Sequence, residues 1–187
     1  MSLTNCRLCG HRCEVDRLAG QLGICRAGSK PEVSSFCLHH GEEPVLSGAK
    51  GSGTIFFTHC SLRCVFCQNY QISQGTRNDR KKKEEEGVAG IMLELQRQGA
   101  ENINLVSPTH YGPQIIETLK QARAQGLKLP IVWNSSGYDS LELLESLDGL
   151  IDIYLPDFKY GDDAAALKYS GKSVIWKSAM TAWLGKG

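Results

Sequence analysis

From residue 54 onward, short apolar runs alternate with longer segments whose apolar residues recur at helical spacing. The short runs, rich in β-branched and aromatic residues and bounded by polar residues or glycine, cover residues 54–58, 103–106, 131–133 and 151–155. Runs of this length and composition are typical of buried strands. Because strand and helix signals alternate four times, the pattern predicts an α/β fold built on a parallel sheet.

The segments between these runs predict three amphipathic helices. One face of the first contains Val88, Ile91, Met92 and Leu95, and one face of the second contains Ile115, Ile116, Leu119 and Ala122. Asp139 followed by Glu142 predicts a capping box that opens the third helix. Residues 80–86, a run of basic then acidic residues, indicate a solvated loop that enters the first helix.

The first fifty residues show no such alternation and are rich in glycine and proline, which predicts a loop-rich N-terminal module. We therefore divide the chain into this module (1–50), a sheet domain (51–170) and a divergent tail (171–187). Parallel sheets bind ligands beyond the carboxyl ends of their strands. The loops that follow the four strands are accordingly where chemistry is expected.

Composition and net charge limit the kinds of partner that this protein is expected to bind. The 187 residues are 41% hydrophobic and 22% charged, and the net charge is +1. A net charge this close to zero provides no electrostatic attraction to nucleic acid or to an anionic membrane surface. No apolar run reaches the roughly 20 residues needed to span a bilayer, and the N-terminus lacks the pattern of a signal peptide. We expect a cytoplasmic protein that binds neither membrane nor nucleic acid.

Eight cysteines are unevenly distributed. Thiols stay reduced in the cytosol, so tight groups of cysteines indicate metal binding there and not disulfide bonds. Cys37 stands alone and is predicted to be a small buried apolar residue. The other seven form two groups, a trio (Cys60, Cys64 and Cys67) and a quartet (Cys6, Cys9, Cys13 and Cys25).

The trio follows the first predicted strand directly, with the spacing C-x3-C-x2-C. Three thiolates can bind three irons of a [4Fe–4S] cluster and leave the fourth iron open, whereas such clusters normally have four thiolates. A zinc site that adds His59 is the alternative. We disfavour it because neighbouring residues at a strand end, such as His59 and Cys60, point in opposite directions.

The quartet has the spacing C-x2-C-x3-C-x11-C, and glycines supply its turns. Four thiolates suit a structural zinc ion or a second iron–sulfur cluster equally, because both are thiophilic. A reduced, metal-free set is a further alternative. The spacing predicts a metal site and leaves the metal open.

The trio, with an aromatic residue just before its last cysteine, resembles the signature of the radical S-adenosylmethionine (SAM) superfamily. Residues 51–57, 64–70, 102–111 and 153–160 resemble homologues of pyruvate formate-lyase activating enzyme, in the branch that has an N-terminal cysteine module. The similarity extends from about residue 6 to residue 170. It implies a partial (βα) barrel, with four of six βα units visible, that binds a [4Fe–4S] cluster and SAM.

The resemblance also implies roles for the residues that follow the strands. Cofactor-binding candidates are Phe66, Asn69, Thr109, Asn134, Ser135, Asp157 and Lys159. Lys159 is expected near the SAM carboxylate, while Asp157 and the 134–135 loop are expected to hold a monovalent cation. Residues 107–110 replace a Gly-Gly-Glu of the activating enzymes, so Thr109 or backbone carbonyls must receive the SAM amino group. His110 and Lys159 are the catalytic candidates, although His110 is equally a structural residue.

The implied activity is that of a radical SAM oxidoreductase, which cleaves SAM reductively and uses the 5′-deoxyadenosyl radical to abstract hydrogen. The expected partners are an electron donor such as flavodoxin or ferredoxin and a protein substrate of the glycyl-radical type. One alternative is a shortened iron–sulfur or zinc protein without turnover, because the resemblance fades after residue 170. Another is a radical SAM enzyme that acts on RNA or a small metabolite, although the neutral charge disfavours RNA.

Overall fold

The structure is a computed structural model that describes residues 2–75 and 87–171. The charge run at 80–86 and residues 172–187 of the expected tail lie outside the described residues. The description below is confined to these two ranges.

The described chain contains a five-stranded sheet whose spatial order follows the sequence: β1 (Val33–His39), β2 (Ser52–Phe57), β3 (Ile103–Val106), β4 (Ile131–Ser135) and β5 (Ile153–Pro156). β1 is antiparallel to β2, and the other three pairs are parallel. The helices are α1 (Pro44–Ser47), α2 (Tyr70–Ser73), α3 (Gly87–Arg97), α4 (Gly112–Ala124), α5 (Leu141–Ser146) and α6 (Asp163–Ser170). The predicted α/β fold class, built on a largely parallel sheet, is confirmed.

The core lies between the helices and one face of the sheet. Ile55 of β2, Leu105 of β3 and Trp133 of β4 belong to a buried cluster that includes the apolar faces of α3 and α4. Residues alternate across a strand, so the intervening positions lie on the other face. On that face Thr54 pairs in register with Asn104, and Val106 pairs with Asn134. The second face is therefore largely polar.

Strand β1 lies within the segment that sequence reasoning treated as loop. Its apolar residues, Val33, Phe36 and Leu38, do not alternate regularly, because the register with β2 shifts between Val33 and Ser35. A bulge of this kind inserts one residue and breaks the two-residue period on which strand prediction depends. Cys37 of this strand is exposed, so the expectation that it is buried is wrong.

Helix α5 begins one residue later than the capping-box pattern indicated. Its N-cap is Ser140, whose Oγ accepts a hydrogen bond from the Leu143 backbone N–H at 3.2 Å. Asp139 is buried instead, and its carboxylate accepts hydrogen bonds from Thr109 Oγ1 at 2.8 Å and Trp133 Nε1 at 3.2 Å. Burial raises the pKa of Asp139, and these donors oppose that shift.

The N-terminal segment contacts the sheet domain at several points besides β1. Cys9 forms a β-bridge with Asp139, and the buried Arg17 guanidinium donates to the His110 carbonyl at 2.6 Å. The division of the chain near residue 50 stays a prediction. In the two described ranges, no helix has the length and apolarity required to cross a membrane.

Candidate functional site

A cavity of about 510 Å³ opens at the carboxyl ends of the parallel strands. Every loop that follows a parallel strand contributes to its lining, among them Cys60 after β2, Ser107 after β3, Ser136 after β4 and Asp157 after β5. Its volume is within the range of sites that bind small molecules and cofactors. This is the position that the topology predicts for a ligand site.

The predicted trio lines this cavity. Cys60 Sγ accepts a hydrogen bond from the Leu62 backbone N–H at 3.4 Å, and Cys67 Sγ lies 3.3 Å from Ser73 Oγ. Cys64 Sγ lies 3.3 Å from Ser170 Oγ of α6. Burial raises the pKa of the Cys60 thiol, and the backbone N–H groups of Leu62 and Arg63 partly offset that effect. The loop thus gathers three thiols, each with a polar neighbour.

Three non-glycine residues of the cavity have left-handed backbone conformations: His59 (φ 67°), Arg63 (φ 55°) and Ser107 (φ 55°). Such conformations are costly for non-glycine residues and concentrate at functional sites. Because the chain turns at His59, this residue and Cys60 both line the cavity. The expectation that they point in opposite directions assumed an extended chain, which the left-handed backbone of His59 does not provide.

Aromatic side chains hold the cysteine loop against the last described helix. The Phe66 ring lies 5.9 Å from the Tyr160 ring and 6.1 Å from the Tyr169 ring, both in edge-on geometry. The Val65 backbone N–H donates to the Tyr169 carbonyl at 2.9 Å. Phe66 and Asn69 also line the cavity, where the resemblance placed them.

The other side of the cavity contains the residues expected after β4 and β5. Asn134, Ser135, Asp157 and Lys159 all contribute to its lining. The Asp157 backbone N–H donates to the Ser135 carbonyl at 2.8 Å, which extends the ladder past the strands. Lys159 Nζ pairs with the Asp157 carboxylate, so the two residues form an ion pair at the edge of the cavity.

Thr109 and His110 do not line this cavity, although sequence reasoning listed both as site residues. Thr109 is buried and donates to Asp139, while His110 Nε2 lies 2.7 Å from the Thr58 carbonyl beneath the β2 loop. The pKa of His110 is lowered to about 3, chiefly by burial and in smaller part by nearby His59 and Arg17, while the hydrogen bond with Thr58 opposes the shift. His110 belongs to the 3-10 turn at Thr109–Tyr111 and is buried there, away from the large cavity.

Glu42 is a cavity residue that sequence reasoning missed. It lies between β1 and α1, yet its Oε2 accepts hydrogen bonds from the side-chain amides of Asn104 and Asn134, the latter at 3.3 Å. No local signal marks Glu42, because it precedes the first predicted strand. Only the antiparallel pairing of β1 with β2 brings it to the polar face of the sheet.

The quartet surrounds a second, much smaller cavity of about 10 Å³, which Arg17 and His110 also line. The backbone N–H of His11 donates to the Cys9 thiol and that of Ala27 to the Cys25 thiol, and burial raises the pKa of both cysteines. Left-handed conformations recur beside the quartet cysteines, at Arg12, Glu14 and Arg26. Across residues 2–75 and 87–171, no three candidate ligands already have the spacing of a bound metal ion.

Comparison with known proteins identifies a family to which this chain is similar. The profile of the radical SAM superfamily matches residues 54–182. The chain is also 36% identical, over 173 residues, to a protein of Methanocaldococcus jannaschii described as uncharacterized. That alignment covers 89% of this chain and 48% of the relative, so the chain spans about half the length of the curated relative it matches. No solved structure matches the chain significantly.

Proposed function

The chain belongs to the radical SAM superfamily, and from that premise we propose that it abstracts hydrogen from a substrate at the cavity beyond the parallel strands. The family implies a [4Fe–4S] cluster and SAM. When bound, these cofactors supply the 5′-deoxyadenosyl radical, while the protein positions and shields them. The single observation that carries the proposal is the presence of all three trio thiols in one cavity of cofactor size.

The residues of the site fit the cluster. Cys60, Cys64 and Cys67 offer three thiols, the ligand type that iron–sulfur clusters require. The backbone N–H of Leu62 already donates to Cys60 Sγ, and hydrogen bonds of this kind stabilise metal-bound thiolates. Cluster binding would draw the three thiolates closer together than they stand. The Phe66 packing and the Val65 backbone bond would anchor the loop during this change.

We assign SAM to the part of the cavity that lies beside the trio. Lys159 provides a cation for the SAM carboxylate, and its present partner Asp157 would keep it oriented at the cavity edge. Asn134 and Ser135 provide amide and hydroxyl groups for the remaining polar atoms. A monovalent cation near Asp157 stays a prediction.

We propose flavodoxin or ferredoxin as the electron donor and the cytoplasm as the location. Val65 and Tyr70 expose 74% and 59% of their surface next to the trio, so an apolar surface surrounds the place where electrons must enter. For the substrate, we retain a glycyl residue of a partner protein, which rests on the resemblance to activating enzymes. An iron–sulfur protein without turnover is the competing outcome of the test below.

We further propose that the quartet holds one metal ion and not a second cluster. A cavity of about 10 Å³ has room for roughly one small atom or ion. Arg17 is 2% exposed, and within the described part of the chain its guanidinium donates hydrogen bonds only to backbone carbonyls and lies 5.8 Å from the centre of the Tyr111 ring. A buried cation is stabilised by a nearby anion. Four thiolates around a divalent ion such as zinc would provide that negative charge beside it.

The decisive experiment is anaerobic reconstitution with iron and sulfide, followed by reduction, addition of SAM and an assay for 5′-deoxyadenosine. Cys64→Ser should abolish the SAM-dependent cluster spectrum and the product, because it removes one of three ligands. Cys37→Ser is the matched control, since Cys37 is exposed and lies in neither group. A wild-type cluster that neither responds to SAM nor yields 5′-deoxyadenosine would establish the protein without turnover instead.

The quartet is tested in the same preparations by metal analysis and by cobalt substitution. We expect about one zinc per chain that survives Cys64→Ser and is lost in Cys9→Ser. Co²⁺ in place of zinc should give the absorption of a tetrahedral thiolate site. Four additional irons that depend on Cys9 would contradict the single-ion proposal.

A further inference from the structure

His11 links the two cysteine groups directly. It lies between Cys9 and Cys13 of the quartet, and its backbone N–H donates to the Cys9 thiol. Its side-chain Nε2 lies 2.7 Å from the carbonyl oxygen of Ser61, the residue that follows Cys60 of the trio. Because a carbonyl oxygen can only accept, the ring donates this hydrogen bond through Nε2. One residue therefore contacts a quartet thiol through its backbone and the trio loop through its side chain.

Packing restricts the imidazole to this position. The His11 ring meets the Tyr138 ring edge-on, with the ring centres 5.1 Å apart and an angle of 85° between the planes. Tyr138 is buried and belongs to a small apolar cluster with Leu62 of the trio loop. Cys9 and Cys60 both pack against this cluster. A quartet cysteine and a trio cysteine thus share one packed unit, and the imidazole lies at its edge.

A second connection reaches the trio loop from the other side. Arg17 lines the quartet cavity and donates to the His110 carbonyl at 2.6 Å, while His110 Nε2 lies 2.7 Å from the Thr58 carbonyl. Thr58 precedes Cys60 by two residues, and Ser61 follows it. The quartet segment is therefore hydrogen-bonded, directly or through one residue, to the backbone on both sides of Cys60.

We propose that His11 is a positioning residue of the cluster site, which couples the ion held by the quartet to the trio loop. An ion bound by Cys9 and Cys13 fixes the short segment between them, and this segment carries the imidazole that holds the Ser61 carbonyl. A trio loop that is already ordered in turn lowers the ordering cost of binding the ion. Coupling of this kind is reciprocal, so each site strengthens binding at the other by the same factor. The inference rests on the proposed function in that the quartet is taken to hold one ion and the trio a [4Fe–4S] cluster.

The test compares zinc binding to the quartet before and after a cluster is reconstituted at the trio. The zinc-loaded chain is dialysed anaerobically against a graded series of chelator concentrations, and the retained zinc is measured by elemental analysis. Zinc that survives Cys9→Ser is subtracted, because that variant keeps the trio and lacks a quartet ligand. The quantity of interest is the factor by which reconstitution tightens zinc binding.

This factor should be about 5- to 10-fold larger in the wild type than in His11→Phe, the range for one hydrogen bond that couples two sites. Phenylalanine keeps a ring against Tyr138 and removes the donor, whereas His11→Gln keeps an N–H donor and should restore most of the difference. His40→Phe, which changes an exposed histidine outside both groups, should match the wild type. Charge repulsion between the sites acts in every variant, and a general loss of stability weakens zinc binding with and without the cluster. Neither effect changes the comparison of factors.

An equal factor in the wild type and in His11→Phe overturns the proposal. Should His11→Phe fail to fold by circular dichroism, the wild-type chain decides through iron release from the cluster to a chelator, measured with zinc bound and after its removal. Release at least about 2-fold faster without zinc supports the coupling, since one hydrogen bond contributes at least that much, and equal release overturns it.

Failure of the proposed function is a separate result, because neither measurement uses SAM. A cluster that yields no 5′-deoxyadenosine refutes hydrogen abstraction and leaves the coupling to be judged by zinc binding. A quartet that retains no zinc refutes the coupling and leaves hydrogen abstraction standing. A trio that takes up no cluster overturns both.

Discussion

Replacing His110 with glutamine should make the stability of this chain less sensitive to acid. His110 Nε2 must donate to the Thr58 carbonyl at 2.7 Å, so the proton is on Nε2, and the buried Nδ1 has no hydrogen-bond partner. Protonation of Nδ1 would place a cation in the core beside Arg17 and His59. Glutamine keeps an N–H for Thr58 and does not titrate.

The magnitude follows from the pKa difference between folded and unfolded chains. The pKa of His110 is about 3 when folded, against 6.5 for an unperturbed histidine. The folded state therefore binds fewer protons between these values, and stability falls as pH decreases below 6.5. Each pH unit in this window costs about 1.4 kcal/mol, so His110 should remove about 2 kcal/mol of stability between pH 7.5 and pH 5.

The assay is urea denaturation at pH 7.5 and pH 5, followed by Trp fluorescence, on preparations of equal metal content. The decrease in unfolding free energy should be about 2 kcal/mol smaller in His110→Gln than in the wild type. His40→Gln, which changes an exposed histidine, is the control and should retain the wild-type decrease. An identical decrease in His110→Gln and the wild type would refute the assignment of His110 as a buried neutral residue.

Three further predictions concern packing and buried polar groups. Asp139→Asn removes one acceptor oxygen from a buried network, and urea denaturation should show a loss of about 1–3 kcal/mol. Gly53→Ala places a Cβ 2.7 Å from the Asn102 carbonyl oxygen, so calorimetry should show a lower Tm from an overpacking cost of roughly 1–3 kcal/mol. Arg17→Met leaves the Gly28 and His110 carbonyls without their donor, so limited proteolysis should cleave residues 2–30 faster than in the wild type. Unchanged unfolding energy, Tm or cleavage rate would contradict the respective prediction.

The sequence alone determined the parallel part of the fold and the trio. Strands of a parallel sheet are marked by short buried apolar runs, and the run Ile131-Val132-Trp133 marks β4 directly. The metal site of Cys60, Cys64 and Cys67 is likewise encoded by neighbours along the chain. Ligands within eight residues of one loop lie close in space whatever the rest of the fold is. Both inferences depend on neighbours along the chain, which are visible in the sequence.

The roles of residues whose partners are distant in the sequence could not be predicted from local patterns. The resemblance placed Thr109 at the position of the Gly-Gly-Glu that holds the SAM amino group, but its hydroxyl donates to Asp139, thirty residues later in the chain. Asp139 itself looked like a helix cap, yet its donors come from the 3-10 turn and from β4, and Ser140 caps the helix instead. A polar side chain has the same local signature at a cap as in a buried network.

The tertiary structure alone brought Glu42 into the cavity. Strand β1 is interrupted by a bulge and pairs antiparallel with β2, and that pairing brings Glu42 to Asn104 and Asn134, 62 and 92 residues away. No periodicity in the sequence predicts the contact of Glu42 with these asparagines, because the register between strands is set by packing of the whole sheet. The sequence thus located the chemistry at the strand ends, and the fold supplied the carboxylate that faces it.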